Sequence, residues 1–261
     1  MHPFKYTQGL VKAALEMGAK LYTDTKVEKL EKQADGSYLV FTNNGVIHTE
    51  KVIITTNGYT QAILPELNAI QPWISHILNY KHTLNQMKGM TFTARQGDIY
   101  FNFPKQEWYV DADGFMRGTL HQGGGRDTPI DPKLISQFPF DQFSFEIIHN
   151  EANEVTPDTR GRPPERAWSG IMGFTPDRLP VISFRYTYEK VNGKRQIVED
   201  KNLIIVSADS GYGGSKLNLA ARIGAQMAIT GEIPRDIIPD DMFSNLRFMK
   251  PGLTRIFHQV S

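Results

Sequence analysis

The sequence predicts a mixed α/β fold of the α+β kind, in which a nucleotide-type sheet is interrupted by an inserted, mostly antiparallel sheet. Two continuous apolar runs, at 51–56 and 202–207, are typical of strands that are covered on both faces. The segment between them is rich in aromatic residues and tight-turn dipeptides, which favour antiparallel strands. We therefore expect the two runs to share one sheet, with the second sheet inserted between them in the chain.

A helix is predicted at the start of the chain, over residues 7–19. Its apolar residues recur at i, i+3, i+4 and i+7 and define a stripe that we expect to be buried: Leu10, Ala13, Ala14 and Met17. Thr7 is the predicted N-cap, and Gly18 stands where a left-handed residue ends a helix.

Hairpins are predicted at four dipeptides that favour type I′ turns, in which both central residues have positive φ. These dipeptides are Asp35-Gly36, Asn44-Gly45, Asp113-Gly114 and Asn192-Gly193.

The strand at 202–207 runs through a glycine-rich turn, 209–214, into a second helix. The predicted buried stripe of this helix consists of Leu217, Ala220, Ala221, Gly224, Met227 and Ala228. Glycines let a ligand approach the backbone closely, and the positive end of the helix dipole favours an anion. The turn is thus a candidate ligand site, and a plain strand-to-helix turn is the alternative interpretation.

Composition excludes several classes of function. Lys plus Arg is 29 against 28 for Asp plus Glu, so the charge balance gives no electrostatic reason to expect nucleic acid as a partner. There is no cysteine, and the seven histidines form no metal-binding motif, so we expect no metal. No apolar run reaches the roughly 20 residues of a membrane span, and the first residues lack a signal-peptide core. We therefore expect a cytoplasmic protein that does not bind membranes.

Four segments, in order, resemble the D-amino-acid oxidase-type (DAO family) FAD-dependent oxidoreductases: FKYTQGLVKAALEMGAKLYTDTKVEKL, KVIITTNGYT, AWSGIMGFTPDRLPVIS and NLIIVSADSGYGGSKLNLAARIGAQMAITGE. The resemblance spans roughly residues 3–232. It implies an FAD-binding domain assembled from distant segments, with a substrate-binding domain inserted. The implied division is 1–60 for part of the FAD-binding domain, 61–165 for the antiparallel substrate domain, 166–235 for the return to the FAD-binding domain, and 236–261 for a C-terminal tail.

The same resemblance implies FAD as cofactor and hydride transfer from a C–H bond next to nitrogen to flavin N5. Its cofactor-binding residues carry over to Val27, Thr55, Thr56, Asn57, Gly58, Gly211, Tyr212, Gly213, Gly214 and Ser215. The catalytic residues stay unknown, and the candidate pocket residues are Tyr100, Tyr109 and Trp168. Core packing is the alternative role of these three aromatics.

The chain also departs from the family pattern. The N-terminal βαβ unit with its GxGxxG is absent, so we expect weak FAD binding by this chain alone and an open sheet edge. A partner chain that supplies the unit is one way to complete the cofactor site. A truncated, non-catalytic remnant or subunit is the alternative function, and a β-rich binding module unrelated to flavin is a third. For binding a carboxylate the inserted region offers Arg95, Arg117 and Arg126, whereas the stretch from Gly170 to Phe174, near the expected flavin face, has no arginine. This favours an amine or masked amino acid over a free α-amino acid.

Overall fold

The structure is a computed structural model that describes residues 3–84, 100–102, 109–110, 112, 116–124, 142–155, 159–238 and 241–249. The chain forms two compact units. The first combines Met1–Lys20 with Trp73–Ile171, and the second combines Leu21–Pro72 with Met172–Ser261. The predicted mixed α/β class is confirmed. The division into an FAD-binding domain and a substrate domain stays a prediction.

The central sheet of the second unit contains β4 (Val52–Ile54), β10 (Val181–Val191) and β11 (Lys194–Ser207), in the order β10-β11-β4. Strand β11 runs antiparallel to β10 and parallel to β4, with Leu203 opposite Val52 and Ile205 opposite Ile54. The prediction that the runs at 51–56 and 202–207 share one sheet is therefore confirmed.

Both faces of β11 are covered, as the continuous apolar run predicts. Leu203 and Ile205 belong to a core cluster that includes Tyr38, whereas Ile204 and Val206 pack in a separate cluster against the helix α4 (Gly213–Thr230). Alternate residues of the strand thus serve two cores.

Helix α4 lies close to the sheet because a glycine faces it. A Cβ atom at Gly224 would collide with the side chain of Val206. The observed stripe is Ala220, Ile223, Gly224 and Met227. The predicted stripe is wrong at Leu217, which is 51% exposed, and at Ala221, which is also exposed. Leu217 lies one turn before Ala220 and Ala221, and it borders a cavity instead of the sheet core.

A three-stranded antiparallel meander completes the sheets of this unit: β1 (Val27–Lys32), β2 (Tyr38–Thr42) and β3 (Gly45–Thr49). The buried Tyr38 hydroxyl donates a hydrogen bond to Asp200 on β11. Burial, together with this carboxylate, raises the pKa of Tyr38. The meander is thereby fixed to the central sheet.

Only one of the described hairpins has the predicted type I′ geometry. Asn192 and Gly193 both have positive φ, at 51° and 76°. At the other two turns only the glycine does, namely Gly36 and Gly45, so the type I′ prediction is wrong there. At the first of these turns, Asp35 instead accepts hydrogen bonds from the backbone N–H and hydroxyl of Ser37, so a side chain shapes the turn. Asp113-Gly114 lies outside the described residues.

Strand β4 is the last strand of the central sheet in the described part of the chain. Ile53 of this strand is 41% exposed.

The first unit contains α1 (Pro3–Glu16), α3 (Gln142–Val155), and most of a sheet of β5 (Gln71–Leu84), β6 (Tyr100–Asn102), β7 (Tyr109–Val110), β8 (Met116–Gly124) and β9 (Arg166–Phe174). The first two residues of β5 and the last three of β9 belong to the second unit. Strand β8 is antiparallel to β5, β6 and β7, as predicted for the inserted region. A four-residue helix, α2 (Thr60–Ile63), belongs to the second unit.

Two predictions for α1 are wrong. The helix begins at Pro3, so Thr7 lies inside it and is not the N-cap. The stripe from Leu10 through Ala13 and Ala14 to Met17 is exposed, because periodicity defines an apolar face but does not supply a partner to cover it. Gly18, with φ of 94°, ends the helix as predicted. Among the described helices, none has the length and apolarity that a membrane span requires.

Candidate functional site

The candidate site lies in the second unit, at the ends of β4 and β11. Asn57 begins a 3-10 turn, Asn57–Tyr59, shortly after β4, and a sharp turn over 208–212 follows β11. Because β4 and β11 are parallel, both turns emerge at the same edge of the sheet. The carboxyl ends of parallel strands are where open α/β sheets bind ligands.

Asn57 joins three segments of the chain at this edge. Its side-chain oxygen accepts hydrogen bonds from the backbone N–H groups of Gly173, at 3.3 Å, and Asp209, at 3.4 Å. Its side-chain amide nitrogen donates to Asp209 Oδ1 at 3.5 Å, and its backbone carbonyl accepts from Ser207 Oγ at 3.1 Å. The Asn57 side chain is therefore occupied by the protein itself and holds the turns in register.

The two turns contain a concentration of strained backbone. Asn57, Ala208 and Ser210 have φ of 47°, 59° and 53°, and Gly211 follows at 84°. Left-handed conformations cost energy in residues other than glycine, and they persist where the surroundings impose them, often at functional sites. Such strain is the structural reason to regard this edge as functional.

A third segment, formed by the end of β9 and the residues after it, packs closely against the turn. Ser210 donates its backbone N–H to the Gly173 carbonyl at 3.0 Å, and its Oγ accepts from the Thr175 N–H at 3.4 Å. A Cβ at Gly173 would lie 2.7 Å from Asn57 Oδ1 and 2.9 Å from the Gly58 nitrogen. Only glycine fits this position without displacing the backbone.

Hydroxyl groups connect the start of α2 with the end of β11 beside the turns. Thr60 Oγ1 lies 2.5 Å from Ser207 Oγ and 3.0 Å from Thr56 Oγ1. Thr60 and Ser207 are buried, whereas Thr55 is exposed. Thr56 therefore has a positioning contact, and Thr55 remains accessible.

The start of α4 carries a negative charge from the chain itself. Helix α4 begins at Gly213 without a side-chain cap, and Asp209 Oδ1 accepts the Gly211 N–H at 3.1 Å. The other Asp209 oxygen lies against Gly213, where a Cβ would collide with it. A carboxylate near a helix N-terminus is favourable. The end of the helix that sequence reasoning assigned to an anionic ligand therefore already has an acidic neighbour.

An adjoining cavity of about 290 Å³ is lined by Thr55, Asn57, Asp209, Lys216 and apolar side chains of β10, β11 and α4. The Lys216 ammonium lies 4.8 Å from the centre of the Tyr212 ring. A Cβ at Gly214 would meet nothing within 4 Å, so the backbone there is accessible. No group of three or more potential metal ligands occurs in the described residues.

The structure brings together most of the predicted cofactor-binding residues: Thr55, Thr56, Asn57 and Gly58 after β4, and Gly211, Tyr212, Gly213, Gly214 and Ser215 after β11. Val27 begins β1 in the meander of the same unit, where it pairs with Thr42, and it is absent from the described lining of the cavity.

The candidate pocket residues lie in the first unit. Trp168 is in β9 and is 44% exposed. Tyr100 and Tyr109 belong to β6 and β7, and Arg117 belongs to β8, but their side chains are outside what the structure describes. Arg95 and Arg126 lie outside the described residues altogether.

Sequence reasoning missed the roles of Asp209, Gly173 and Ser210. Asp209 and Ser210 stand in the glycine-rich turn, but glycine content drew attention to their neighbours. Gly173 is 116 residues from Asn57, its hydrogen-bond partner, and no local pattern reports such a contact.

The family model described as FAD dependent oxidoreductase, DAO, matches residues 1–228. This chain belongs to the DAO family. A curated relative that aligns over most of the chain is the probable oxidoreductase OrdL of Rhizobium meliloti, which is 25% identical over 246 residues. The match covers 91% of this DAO-family chain and 49% of the relative, so the chain spans about half of that protein's length.

Solved structures share the fold. The L-proline dehydrogenase from P. horikoshii superposes with a TM-score of 0.68 at 20% identity, covering 95% of this chain and 60% of that one. The glycine oxidase from Geobacillus kaustophilus gives a TM-score of 0.64 at 18% identity, covering 90% and 55%. The resemblance of the chain to the DAO family, stated from its motifs, is thus confirmed.

Proposed function

We propose that this chain contributes to an FAD-dependent oxidoreductase of the amine or amino-acid oxidase type, and that the edge formed by the ends of β4 and β11 is its flavin-contacting part. The observation that carries the proposal is the set of left-handed residues Asn57, Ala208 and Ser210 at one sheet edge, where Asn57 and Gly173 accept hydrogen bonds from the backbone of Asp209 and Ser210. Strain maintained in this way is expected where the backbone must present a fixed surface to a ligand.

The residues present fit a cofactor that is bound mainly through backbone. Gly214 has open space on its Cβ side and so offers close approach, whereas the Asp209 carboxylate already lies against Gly213. FAD, when bound, would accept a hydride at N5 from the substrate C–H bond next to nitrogen. In our proposal Asn57 is a positioning residue, whereas Thr55 and the turn from Gly211 to Ser215 contact the cofactor directly.

The position of Asp209 determines which electrostatic contribution the start of α4 can make to cofactor binding. A bare helix N-terminus would favour an anion, but the Asp209 carboxylate already lies beside the first turn of α4. We infer that the contact between this turn and the cofactor relies on N–H groups and close packing more than on net positive charge. The nearby Lys216 is the cation available on the cavity wall.

The proposed substrate is a small amine or an amino-acid-like molecule. Structural neighbours named L-proline dehydrogenase, glycine oxidase and L-amino acid deaminase support this class. We favour an amine or masked amino acid over a free α-amino acid, with Tyr100, Tyr109 and Trp168 as pocket candidates. Activity confined to free α-amino acids in a substrate screen would overturn that preference.

A non-catalytic remnant or subunit that binds no flavin alone is the second candidate. The edge position of β4 in the described sheet, with Ile53 41% exposed, favours it. In this version a partner chain supplies the phosphate-binding βαβ unit. We propose a cytoplasmic location for either version.

The test is FAD titration of the purified chain, followed by flavin fluorescence, alone and with the part of the R. meliloti relative that lies outside the match. We expect weak binding by the chain alone and tighter binding with the added part. Sub-micromolar binding by the chain alone would show that the turns suffice. No binding by the chain alone, with binding once the other part is added, would favour the subunit, and no binding in either arm would contradict the cofactor assignment.

A further inference from the structure

A second polar assembly, separate from Asn57, connects the far C-terminal segment to the candidate site. Arg247 lies in a 3-10 turn, Asn245–Phe248, and its guanidinium donates to Asp177 Oδ2 through Nε at 2.6 Å and to Asp177 Oδ1 through Nη2 at 3.1 Å. Nη2 also donates to the Leu179 carbonyl at 2.9 Å, and Nη1 to the Ser244 carbonyl at 3.1 Å. The Arg247 side chain is only 10% exposed.

This arrangement is unlike the chain's surface ion pairs. A guanidinium that reaches both oxygens of one carboxylate fixes distance and orientation together, and the partial burial of the pair limits screening by solvent. By contrast, Arg235 and Asp241, in the same C-terminal segment, form a single contact of 3.1 Å with side chains 51% and 45% exposed. Exposed single contacts of that kind contribute little.

The loop held by Arg247 leads directly to the strained turn. Thr175 Oγ1 donates to the Leu179 carbonyl at 2.7 Å, so Arg247 and Thr175 share one acceptor. The Thr175 N–H donates to Ser210 Oγ at 3.4 Å, and the Ser210 N–H donates to the Gly173 carbonyl at 3.0 Å. A continuous set of hydrogen bonds therefore runs from Arg247 to the left-handed Ser210.

The position of Arg247 in the chain adds a further point. The family match ends at residue 228, whereas Arg247 lies 19 residues beyond that end. The contact partner Asp177 lies inside the match. The support thus comes from a segment outside the matched residues.

We propose that Arg247 is a positioning residue for the candidate cofactor site: it fixes the 175–179 loop, and this loop maintains the left-handed turn at Ser210. The effect on FAD binding rests on the proposed function, but the structural coupling itself does not. Loss of the Arg247 contacts frees the loop, after which Ser210 loses its Thr175 contacts and the turn at 208–211 relaxes.

The experiment is hydrogen exchange of the whole chain, comparing the wild type with Arg247→Gln. Amide exchange should accelerate about tenfold at 173–180 and at 207–213, a ratio typical of losing one well-placed charged contact, while exchange in the 188–197 hairpin stays unchanged. The matched control, Arg235→Gln, removes the exposed pair and should change neither segment. Arg247→Lys keeps the positive charge but loses the planar guanidinium that reaches both carboxylate oxygens, and it should give an intermediate acceleration of exchange at the same two segments.

Unchanged exchange at 207–213 in Arg247→Gln would overturn the inference. Equal acceleration in the hairpin would also overturn it, since that result means a general loss of stability. If Arg247→Gln does not fold, Arg247→Lys decides by the same criteria. A separate FAD titration of the variants tests the proposed function: an exchange effect without any FAD binding by wild type, both alone and with the added part of the R. meliloti relative, would leave the coupling intact and refute the cofactor assignment.

Discussion

The two ends of β11 both depend on left-handed backbone, but for different reasons. At the hairpin end, Asn192 and Gly193 have φ of 51° and 76° in a two-residue turn between Val191 and Lys194. At the site end, Ala208 and Ser210 have φ of 59° and 53°. The first pair of residue types suits left-handed backbone, whereas the second does not.

The difference separates local from tertiary causes. Asn-Gly adopts its turn through its own conformational preferences, and the hairpin end is exposed. Ala208 and Ser210 are buried, and the neighbouring Asp209 and Ser210 are held by Asn57, Gly173 and Thr175. Strain that the sequence does not favour locally, and that distant segments enforce, points to a surface whose shape matters for function.

The largest effect on stability is expected for a substitution at Gly173. Gly173→Ala places a Cβ within 2.9 Å of backbone atoms of Asn57 and Gly58, and backbone cannot move aside cheaply. We expect a loss of about 3 kcal/mol in unfolding free energy, measured by urea denaturation. Gly193→Ala at the hairpin end meets no atom within 4 Å and should cost only about 1 kcal/mol, for its positive φ. Equal costs at both positions would contradict the comparison.

Asn57 and Asn192 offer a matched pair. Both have positive φ, so glycine relieves strain at either site. Asn57→Gly also leaves the N–H groups of Gly173 and Asp209 without their acceptor, and we expect a loss of about 2 kcal/mol. Asn192→Gly should change stability by less than about 0.5 kcal/mol. Chemical denaturation of the two variants measures both changes in unfolding free energy. An Asn57→Gly variant as stable as wild type would refute the positioning role of that side chain.

How much of the structure can be predicted from the sequence depends on whether the interactions that determine it are local or between distant segments. The pairing of β4 with β11 was predictable because a run such as that from Leu203 to Val206 reports burial on both faces. The left-handed Gly18 and the turn at Asn192-Gly193 were predictable from residue type alone. The contacts among Asn57, Gly173 and Asp209 were not, because tertiary geometry creates them.

Wrong predictions have the same origin. The apolar stripe on α1 has the right period, but the described residues provide no cover for Met17, which is 89% exposed. Leu217 continues the stripe of α4 in sequence, yet it lies beside the cavity and not on the sheet core. Periodicity determines which residues share a face, and only the tertiary structure determines what lies opposite.

As the pH falls, we expect the contacts at the site end of β11 to weaken before those at its hairpin end. Burial alone would raise the pKa of Asp177, but the hydrogen bonds and charge of Arg247 outweigh it and hold the pKa below its ordinary value of 3.8. A carboxyl whose pKa is lowered by folding stabilises the fold above its ordinary pKa, and this contribution is lost as the pH falls through the folded value.

The measurement is the stability difference between wild type and Asp177→Asn across pH 3 to 7. We expect Asp177→Asn to be less stable than wild type by about 1.5 kcal/mol at neutral pH, because it loses the charged hydrogen bonds, and we expect this difference to shrink toward zero in acid. A difference that does not vary with pH would show that the ionised carboxylate is not the stabilising form.

The smallest effect concerns the start of α4. Asp209→Asn keeps an oxygen that can accept the Gly211 N–H but removes the negative charge beside the helix N-terminus. A loss of about 0.5–1 kcal/mol is expected, and added salt should reduce it. Glu189→Gln, near the hairpin end, serves as the comparison and should be close to neutral. Increased stability of Asp209→Asn would mean that this charge is unfavourable where it lies.

The central claim is that the strained end of the sheet, and not the hairpin end, meets the cofactor. Hydrogen exchange of the chain with FAD added at increasing concentration, up to millimolar, tests it directly. The account predicts slower exchange at 55–59 and 207–215, with no change at 188–197. Protection of the hairpin in preference to these two segments, or no protection at 207–215 once FAD is bound, would contradict it.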